Sequence, residues 1–450
     1  MDSKELYEIY MRCGEITTDS RNCPQGSMFM ALKGESFDGN RFAVDALEKG
    51  CSVAVVDTAD VLDEFSALRN AIPSRWDGKQ MVLVPDTLQA YKDLAREHRR
   101  RFNIPVLGIT GTNGKTTTKE LIAAVLRQKY NVMATEGNFN NDVGVPKTLF
   151  RLDDSHEIAV VEMGASHPGD IKTLAETAEP TCGLITNVGK AHLLGFGSFE
   201  GVIKTKGELY ENLATRAGST IFVDAGNEHL MNILPQDLNI VRYGKHGEAE
   251  HLRVAGEAVS CEPFLELRWK DNESANPEWH TVQTHLIGAY NLTNALAAVA
   301  VGLFFGVPEE AISQAIAGYE PHNNRSQFVE TERNSLIVDA YNANPTSMKV
   351  ALDNFEAMTA APKMAILGEM RELGEDSVRE HDAIVAHLMH SGIEEVWLVG
   401  EEFSEIPCSY RKFRDVEEVK AAIAEHCPDG YCILIKGSNG NRLFELPPLL

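Results

Sequence analysis

Over its first hundred residues the chain alternates short apolar runs, at 28–32, 53–56 and 81–84, with longer stretches whose apolar residues recur every three or four positions. Runs this short between polar turns predict buried strands, and the periodic stretches predict helices packed on them. The alternation returns at 106–110, 157–162, 183–187 and 220–224, and again at 336–339, 364–367, 396–399 and 432–436. Such an order predicts an α/β protein whose mostly parallel sheets carry helices on both faces. The stretch 239–287 is more polar and rich in strand-forming residues, and it reads as an insertion.

At 450 residues the chain exceeds what one core supports and predicts three units. A small α/β unit covers 1–103 and ends in a charged segment, 95–101, ahead of Phe102-Asn103-Ile104-Pro105. A central unit with helices on both faces of its sheet covers 104–320, up to the polar, turn-rich Glu320-Pro321-His322-Asn323-Asn324-Arg325. The remainder, 321–450, reads as a Rossmann-like α/β unit.

Charge narrows the partners. With 42 Lys and Arg against 66 Asp and Glu, the net charge of -24 argues against nucleic acid or an anionic membrane surface. No run of roughly 18 apolar residues occurs, and the first dozen residues are charged, so a cytoplasmic protein without membrane insertion is expected. The 8 cysteines form no C-x-x-C pair, which fits reduced thiols better than a disulfide framework or a zinc site.

The chemical centre follows the apolar run 106–110. Gly111-Thr112-Asn113-Gly114-Lys115-Thr116-Thr117 leads into a helical stretch with Leu121, Ile122, Val125 and Leu126 on one face. Glycines let backbone N–H groups curl round phosphate oxygens, Lys115 supplies charge, and Thr116 offers a hydroxyl to Mg²⁺ at the helix N-terminus. The full pattern places another glycine where Ile109 stands, leaving G-x-x-G-K-T. The nucleotide expected is ATP.

Glu162 ends the apolar run 158–161, at the carboxyl edge of the sheet where ligands collect, and suits a Mg²⁺ ligand or water-positioning acid. His192 follows the run 183–187 at the same edge. In the helix expected over 199–213, Val202, Lys206, Leu209, Tyr210 and Leu213 share one side, while Lys204 falls opposite. A lysine in an apolar stripe either snorkels to water or is desolvated, which lowers its pKa and leaves a nucleophilic amine able to take up CO₂ as a carbamate.

Three further segments carry polar groups. The loop 135–146 holds Asn138, Asn140, Asn141 and Asp142, which suit substrate and metal-bound water, or simply turns. Asn291 opens an alanine-rich helix, and a cap is the simpler reading beside contact with a base. Asp339 and Asn342 end a strand where an acid could accept ribose hydroxyls, although no G-x-G-x-x-G accompanies them.

Together these segments resemble the Mur ligases, ATP-dependent amide-forming enzymes of peptidoglycan precursor synthesis. The resemblance rests on Thr18-Asp19-Ser20-Arg21, LKGESFDG from 32, GTNGKTTTKE from 111, GNFNNDVGVP from 137, VEMGASHPGD from 161, TNVGKAHLLGFGS from 186 and YNANPTSM from 341. It implies UDP contacts from Ser20 and Arg21, substrate contacts from Asn138 and Asn141, and ATP contacts from the loop 111–117, Asn291, Arg325, Asp339 and Asn342. The family spaces a carbamylated lysine 14 residues after its metal-binding histidine, which is the separation of His192 and Lys206.

The implied catalytic groups are Lys115, Glu162, His192 and Lys206, with two Mg²⁺ ions held by Thr116, Glu162, His192 and Lys206. Several phrases are most similar to the branch that joins D-alanyl-D-alanine to a UDP-N-acetylmuramoyl-tripeptide, which implies a monomer whose last unit closes about 321–328. Two stretches depart from the family: Asn323-Asn324-Arg325 replaces a Gly-Arg pair, and Lys436-Gly437-Ser438-Asn439-Gly440 replaces the usual K-G-S-R run. Another Mur-type or a folylpolyglutamate-type amino-acid ligase, and a non-ligase ATP-binding switch protein, are the alternatives.

Overall fold

The computed structural model describes residues 2–34, 36–322 and 324–450 and contains three sheets. Glu35 and Asn323, which fall in two of the segments quoted above, lie outside the described residues. The first sheet has four parallel strands in the order Ile16–Thr17, Met28–Met30, Val53–Val56, Gln80–Leu83. Alternate side chains leave it on opposite faces. Met28, Met30, Val53, Val55 and Val82 pack against the helices Ser3–Cys13 and Thr87–Arg100, while Phe29, Ala54, Val56 and Met81 pack against Ala43–Lys49 and Ala59–Ala71.

The central sheet has nine strands. From edge to edge they are His280–Ile287, Phe264–Asp271, Val254–Cys261, Asn239–Lys245, Thr220–Asp224, Cys182–Ile185, Val106–Thr110, Ile158–Glu162 and Val132–Ala134. The stretch 239–287 is therefore a continuation of the sheet and not an insertion. Asn239–Lys245 lies in parallel register with Thr220–Asp224, and only Phe264–Asp271 runs antiparallel to its neighbours. It reads as polar because one face does most of the packing: in Phe264–Asp271 the residues Leu265, Leu267 and Trp269 are buried, and those between them are only partly covered. The helix Asn291–Phe304 fills the covered face.

The third sheet runs Gln327–Glu330, Ser335–Asp339, Cys432–Lys436, Lys363–Gly368, Glu395–Val399, Arg411–Phe413, antiparallel only at its first pair. Because the last strand in sequence enters between two earlier ones, Asp339, Lys436 and Gly368 finish side by side at one carboxyl edge.

One helix ties the first unit to the second. Thr87–Arg100 contributes Tyr91 and Leu94 to the first core, yet its last turn is buried in the central unit. His98 Nε2 shares a hydrogen bond with the Leu152 carbonyl at 2.9 Å. The Arg99 guanidinium donates to the carbonyls of Phe102 at 2.8 Å, Ala178 at 3.1 Å, Ile104 at 3.3 Å and Glu179 at 3.4 Å.

Candidate active site

A cleft of about 1340 Å³ opens at the carboxyl edges of the central and third sheets, lined by residues from both and by Lys92 of the first unit. At its floor the strand Val106–Thr110 turns through Gly111 into the helix Lys115–Leu126. Gly111 has φ 141° and Gly114 has φ 76°, backbone that favours glycine. Gly111 also packs so closely on Thr186 that any β-carbon would collide. The loop is pinned from behind by three contacts: Thr112 N–H donates to the Asn187 carbonyl at 2.9 Å, Asn113 N–H to Asn187 Oδ1 at 3.0 Å, and Thr186 Oγ1 to the Asn113 carbonyl at 2.6 Å.

Lys115 curls back over this loop and donates to the carbonyls of Gly111 at 2.9 Å and Thr112 at 3.0 Å. Desolvation lowers its pKa, Glu162 opposes that fall, and Arg325 adds to it. Glu162 is 1% exposed. One of its oxygens accepts from Thr116 Oγ1 at 2.9 Å and the other from Asn140 Nδ2 at 2.8 Å.

Asn140 of the loop 135–146 thus holds the Glu162 carboxylate, whereas Asn138 and Asn141 are the two expected at the substrate. Asn141 Oδ1 instead accepts from Gly144 N–H at 2.8 Å and shapes the turn into the helix Gly144–Leu149, although it remains on the cleft wall. Asn138 is exposed and outside the lining. A loop of adjacent asparagines has no period to say which one turns inward; only the carboxylate at the strand end selects it.

Lys206 lies in the helix Phe199–Ala214 and is 2% exposed, whereas Lys204 is exposed, as the stripe requires. Its Nζ sits 5.4 Å from the centre of the Phe196 ring and 3.5 Å from the Ala165 carbonyl. Burial holds its pKa well below the usual lysine range, the neighbouring Lys115 lowers it further, and Asp170 and Glu208 offset only part of this. Such a shift favours the neutral, nucleophilic form of the amine.

His192 precedes the short helix Leu193–Phe196 in left-handed backbone, φ 50°, and faces the Glu372 carboxylate of the third unit. Burial lowers its pKa, Glu372 opposes, and Lys115 and Lys206 add to the fall. Among the described residues no three His, Cys, Asp or Glu side chains converge. A cation here would take its remaining ligands from phosphates and water, the habit of Mg²⁺, and the hard oxygens of Thr116 and Glu162 suit it.

The roof comes from the third unit. Arg325 stacks its guanidinium 3.7 Å from the centre of the Tyr341 ring. Asp339 Oδ2 accepts from Lys436 Nζ at 2.6 Å, and the same ammonium donates to the Asn342 carbonyl at 3.2 Å. Asn291 lies on the cleft wall but does not cap its helix: its Nδ2 donates to the Ile287 carbonyl at 2.8 Å and its Oδ1 accepts from Asn294 at 2.8 Å. Ser20 and Arg21 lie outside the lining, with Arg21 held by Asp19 at 2.9 Å.

The sequence motifs did not point to Asn344. Its Nδ2 donates to Asn113 Oδ1 at 2.8 Å and so joins roof to floor, while its Oδ1 caps the helix Pro345–Ala357. The N-P pair in YNANPTSM marks a helix start, but only the assembled units show what lies opposite.

Three family models cover most of the chain: the Mur ligase family catalytic domain matches residues 13–99, the Mur ligase middle domain 109–302, and the Mur ligase glutamate ligase domain 324–439. The UDP-N-acetylmuramoyl-tripeptide–D-alanyl-D-alanine ligase of Bacillus subtilis is 32% identical over 96% of this chain and 92% of its own length. A crystal structure of MurF from Acinetobacter baumannii superposes with TM-score 0.85 at 27% identity, over 99% of this chain and 97% of that one. MurF ligase from Thermotoga maritima in complex with ADP gives 0.82 at 25% identity, over 97% of this chain and 96% of that one. No helix in the described residues is long and apolar enough to cross a membrane. On a phosphate loop, a desolvated lysine and full-length similarity together, the chain belongs to the Mur ligase family.

Proposed function

We propose that the chain is an ATP-dependent ligase that joins D-alanyl-D-alanine to a UDP-N-acetylmuramoyl-tripeptide in peptidoglycan precursor synthesis. The observation that carries this reading is that residues 112–117, Glu162 and His192 line one cleft, with the buried Lys206 near enough to feel the charge of Lys115 and to be felt by His192. The relatives' names supply the substrates, and the ADP complex of the Thermotoga maritima protein supports the nucleotide.

In this reading the backbone N–H groups of the loop and the helix N-terminus behind them cradle the outer phosphates, with Lys115 swinging from the Gly111 and Thr112 carbonyls onto them. Asn291, Arg325, Asp339 and Asn342 hold the nucleoside end from the wall and roof, and Ser20 and Arg21 receive the uridine diphosphate in the first unit. The tripeptide carboxylate attacks the γ-phosphorus in line, ADP leaves and an acyl phosphate forms. The dipeptide amine then attacks the acyl carbon, loses a proton and expels phosphate, leaving an amide.

Lys206 supports the first step through carbamylation: its amine attacks CO₂, a proton leaves, and the former cation becomes an anionic oxygen donor. Thr116 and Glu162 would hold one Mg²⁺, and His192 with that carbamate a second, the two ions offsetting the charge that keeps carboxylate and phosphate apart. Asn140 fixes the Glu162 carboxylate for this role. The 8 unpaired cysteines fit a cytoplasmic setting.

The test is ADP release by the purified chain with ATP, Mg²⁺, muramoyl tripeptide and D-Ala-D-Ala. Release that requires both peptide substrates, together with the muramoyl pentapeptide by mass, is the expected result. Release that ignores the dipeptide would leave a nucleotide-dependent switch as the better description. Tripeptides differing at their third residue identify the preferred donor in the same assay.

A further inference from the structure

At the carboxyl edge of the third sheet, the strands Lys363–Gly368 and Cys432–Lys436 are neighbours in parallel register, Leu367 opposite Lys436. The loops that follow them lie together: Ser438 Oγ donates to the Glu369 carbonyl at 3.1 Å. This edge faces the central unit, because Glu372, on the first of these loops, reaches His192 on the cleft wall. The second loop, Gly437-Ser438-Asn439-Gly440-Asn441, has no cation of its own.

A cation reaches it from the other loop. The Arg371 guanidinium lies across Gly440 so closely that a methyl group at that position would strike it. Arg371 is exposed, its one ionic neighbour is Glu369 at 3.5 Å, and it makes no hydrogen bond among the described residues. Other cations near this edge are committed: Lys436 to Asp339 at 2.6 Å, and Lys190 to Glu380 at 3.3 Å.

We infer that Arg371 is the specificity residue that receives the C-terminal carboxylate of the acceptor dipeptide. The inference rests on the ligase reading above and adds to it the group that recognises the acceptor. A dipeptide spans only about 7 Å, so an amine at the cleft wall leaves its carboxylate near the adjoining loop. In a chain of net charge -24 that carboxylate needs a local cation. A guanidinium free of hydrogen bonds and laid on a glycine offers a planar fork for it. Gly440 matters because it lets the fork lie flat.

The test compares D-Ala-D-Ala with its C-terminal amide, which lacks the charge, as acceptors for the unaltered chain and for Arg371→Ala. The unaltered chain should prefer the acid by about 10- to 100-fold in kcat/KM, the range of a hydrogen bond to a charged group. Arg371→Ala should lose that preference, with the loss falling on KM for the dipeptide and not on KM for ATP or the muramoyl peptide. Arg371→Lys should recover part of it, and Gly440→Ala should weaken it by displacing the fork. Equal use of acid and amide by the unaltered chain, or an undiminished preference in Arg371→Ala, overturns the inference alone. No ligation of either acceptor by the unaltered chain overturns the ligase reading as well.

Discussion

Asn344 of the third unit and Asn113 of the phosphate loop meet amide to amide, Nδ2 of the former donating to Oδ1 of the latter at 2.8 Å. The contact lets the position of the roof be felt at the loop. Asn344→Asp keeps the helix cap but removes the donor and sets a negative charge facing the phosphates. It should raise KM for ATP at least about fivefold, a loss of the size of one hydrogen bond. A double-mutant cycle of Asn113→Ala with Asn344→Ala should return about 0.5–1.5 kcal/mol of coupling in kcat/KM; strict additivity would show the bridge to be idle.

On the proposed mechanism, Lys115→Ala removes the cation that would offset charge on the transferring phosphoryl group. Turnover should fall on the order of 10³-fold or more, with the thermal transition little changed, since this side chain binds only its own loop. Steady-state ADP release alongside a melting curve checks both halves.

Lys206→Ala should lose most activity and regain part of it with added formate or acetate, which can stand in for the carbamate oxygens. The unaltered chain supplied with ¹³C-bicarbonate should show a carbamate carbon by NMR that the variant lacks. Activity equal to that of the unaltered chain without any added acid would falsify the carbamate assignment.

Lys436 is 1% exposed and depends on Asp339. Asp339→Ala strands a buried ammonium and should cost about 3–5 kcal/mol in the transition that reports the third unit. Adding Lys436→Met to that variant should recover most of the loss, because the uncompensated charge goes with it. Urea titrations of the single and double variants decide this.

Asp57 binds the first unit together: its carboxylate meets Lys33 at 2.7 Å, Asn40 at 2.9 Å and Thr87 at 3.2 Å. Burial alone would raise its pKa, but Lys33, the Thr87 N–H and Asn40 together pull it below the ordinary 3.8. A depressed folded pKa means stability that is present above the unfolded value and lost as pH falls through the folded one. Asp57→Asn should therefore cost about 1.5–3 kcal/mol at pH 7, and the deficit should shrink below about pH 4. Unfolding curves at pH 7, 5 and 3.5 measure it.

Much of this site could be read from the chain because periodicity reports burial. Lys206 was visible as a charge inside an apolar stripe, and Glu162 as a carboxylate closing an apolar run at the sheet edge. The asparagine loop is harder: Asn138, Asn140 and Asn141 are chemically alike, and Asn140 is singled out only by the Glu162 carboxylate, which approaches from elsewhere in the chain. The strands from 239 to 287 looked detachable because half of each faces outward, a property of sheet margins that one-dimensional hydropathy cannot tell from independence. Asn344 and Arg371 take their meaning from what sits opposite them, which no local pattern encodes.

The helix Thr87–Arg100 belongs to two cores at once, and Arg99 spends its guanidinium on the Ala178, Ile104 and Glu179 carbonyls of the central unit and on that of Phe102 at the junction. Shearing it loose would strand a buried cation together with those carbonyls, so the first two units travel as a single block. The link to the third unit passes through Asn324 and Ser326, both in left-handed backbone at φ 58° and 47°. On the ligase reading proposed above, nucleotide and donor would then rest on one rigid anvil formed by the first two units.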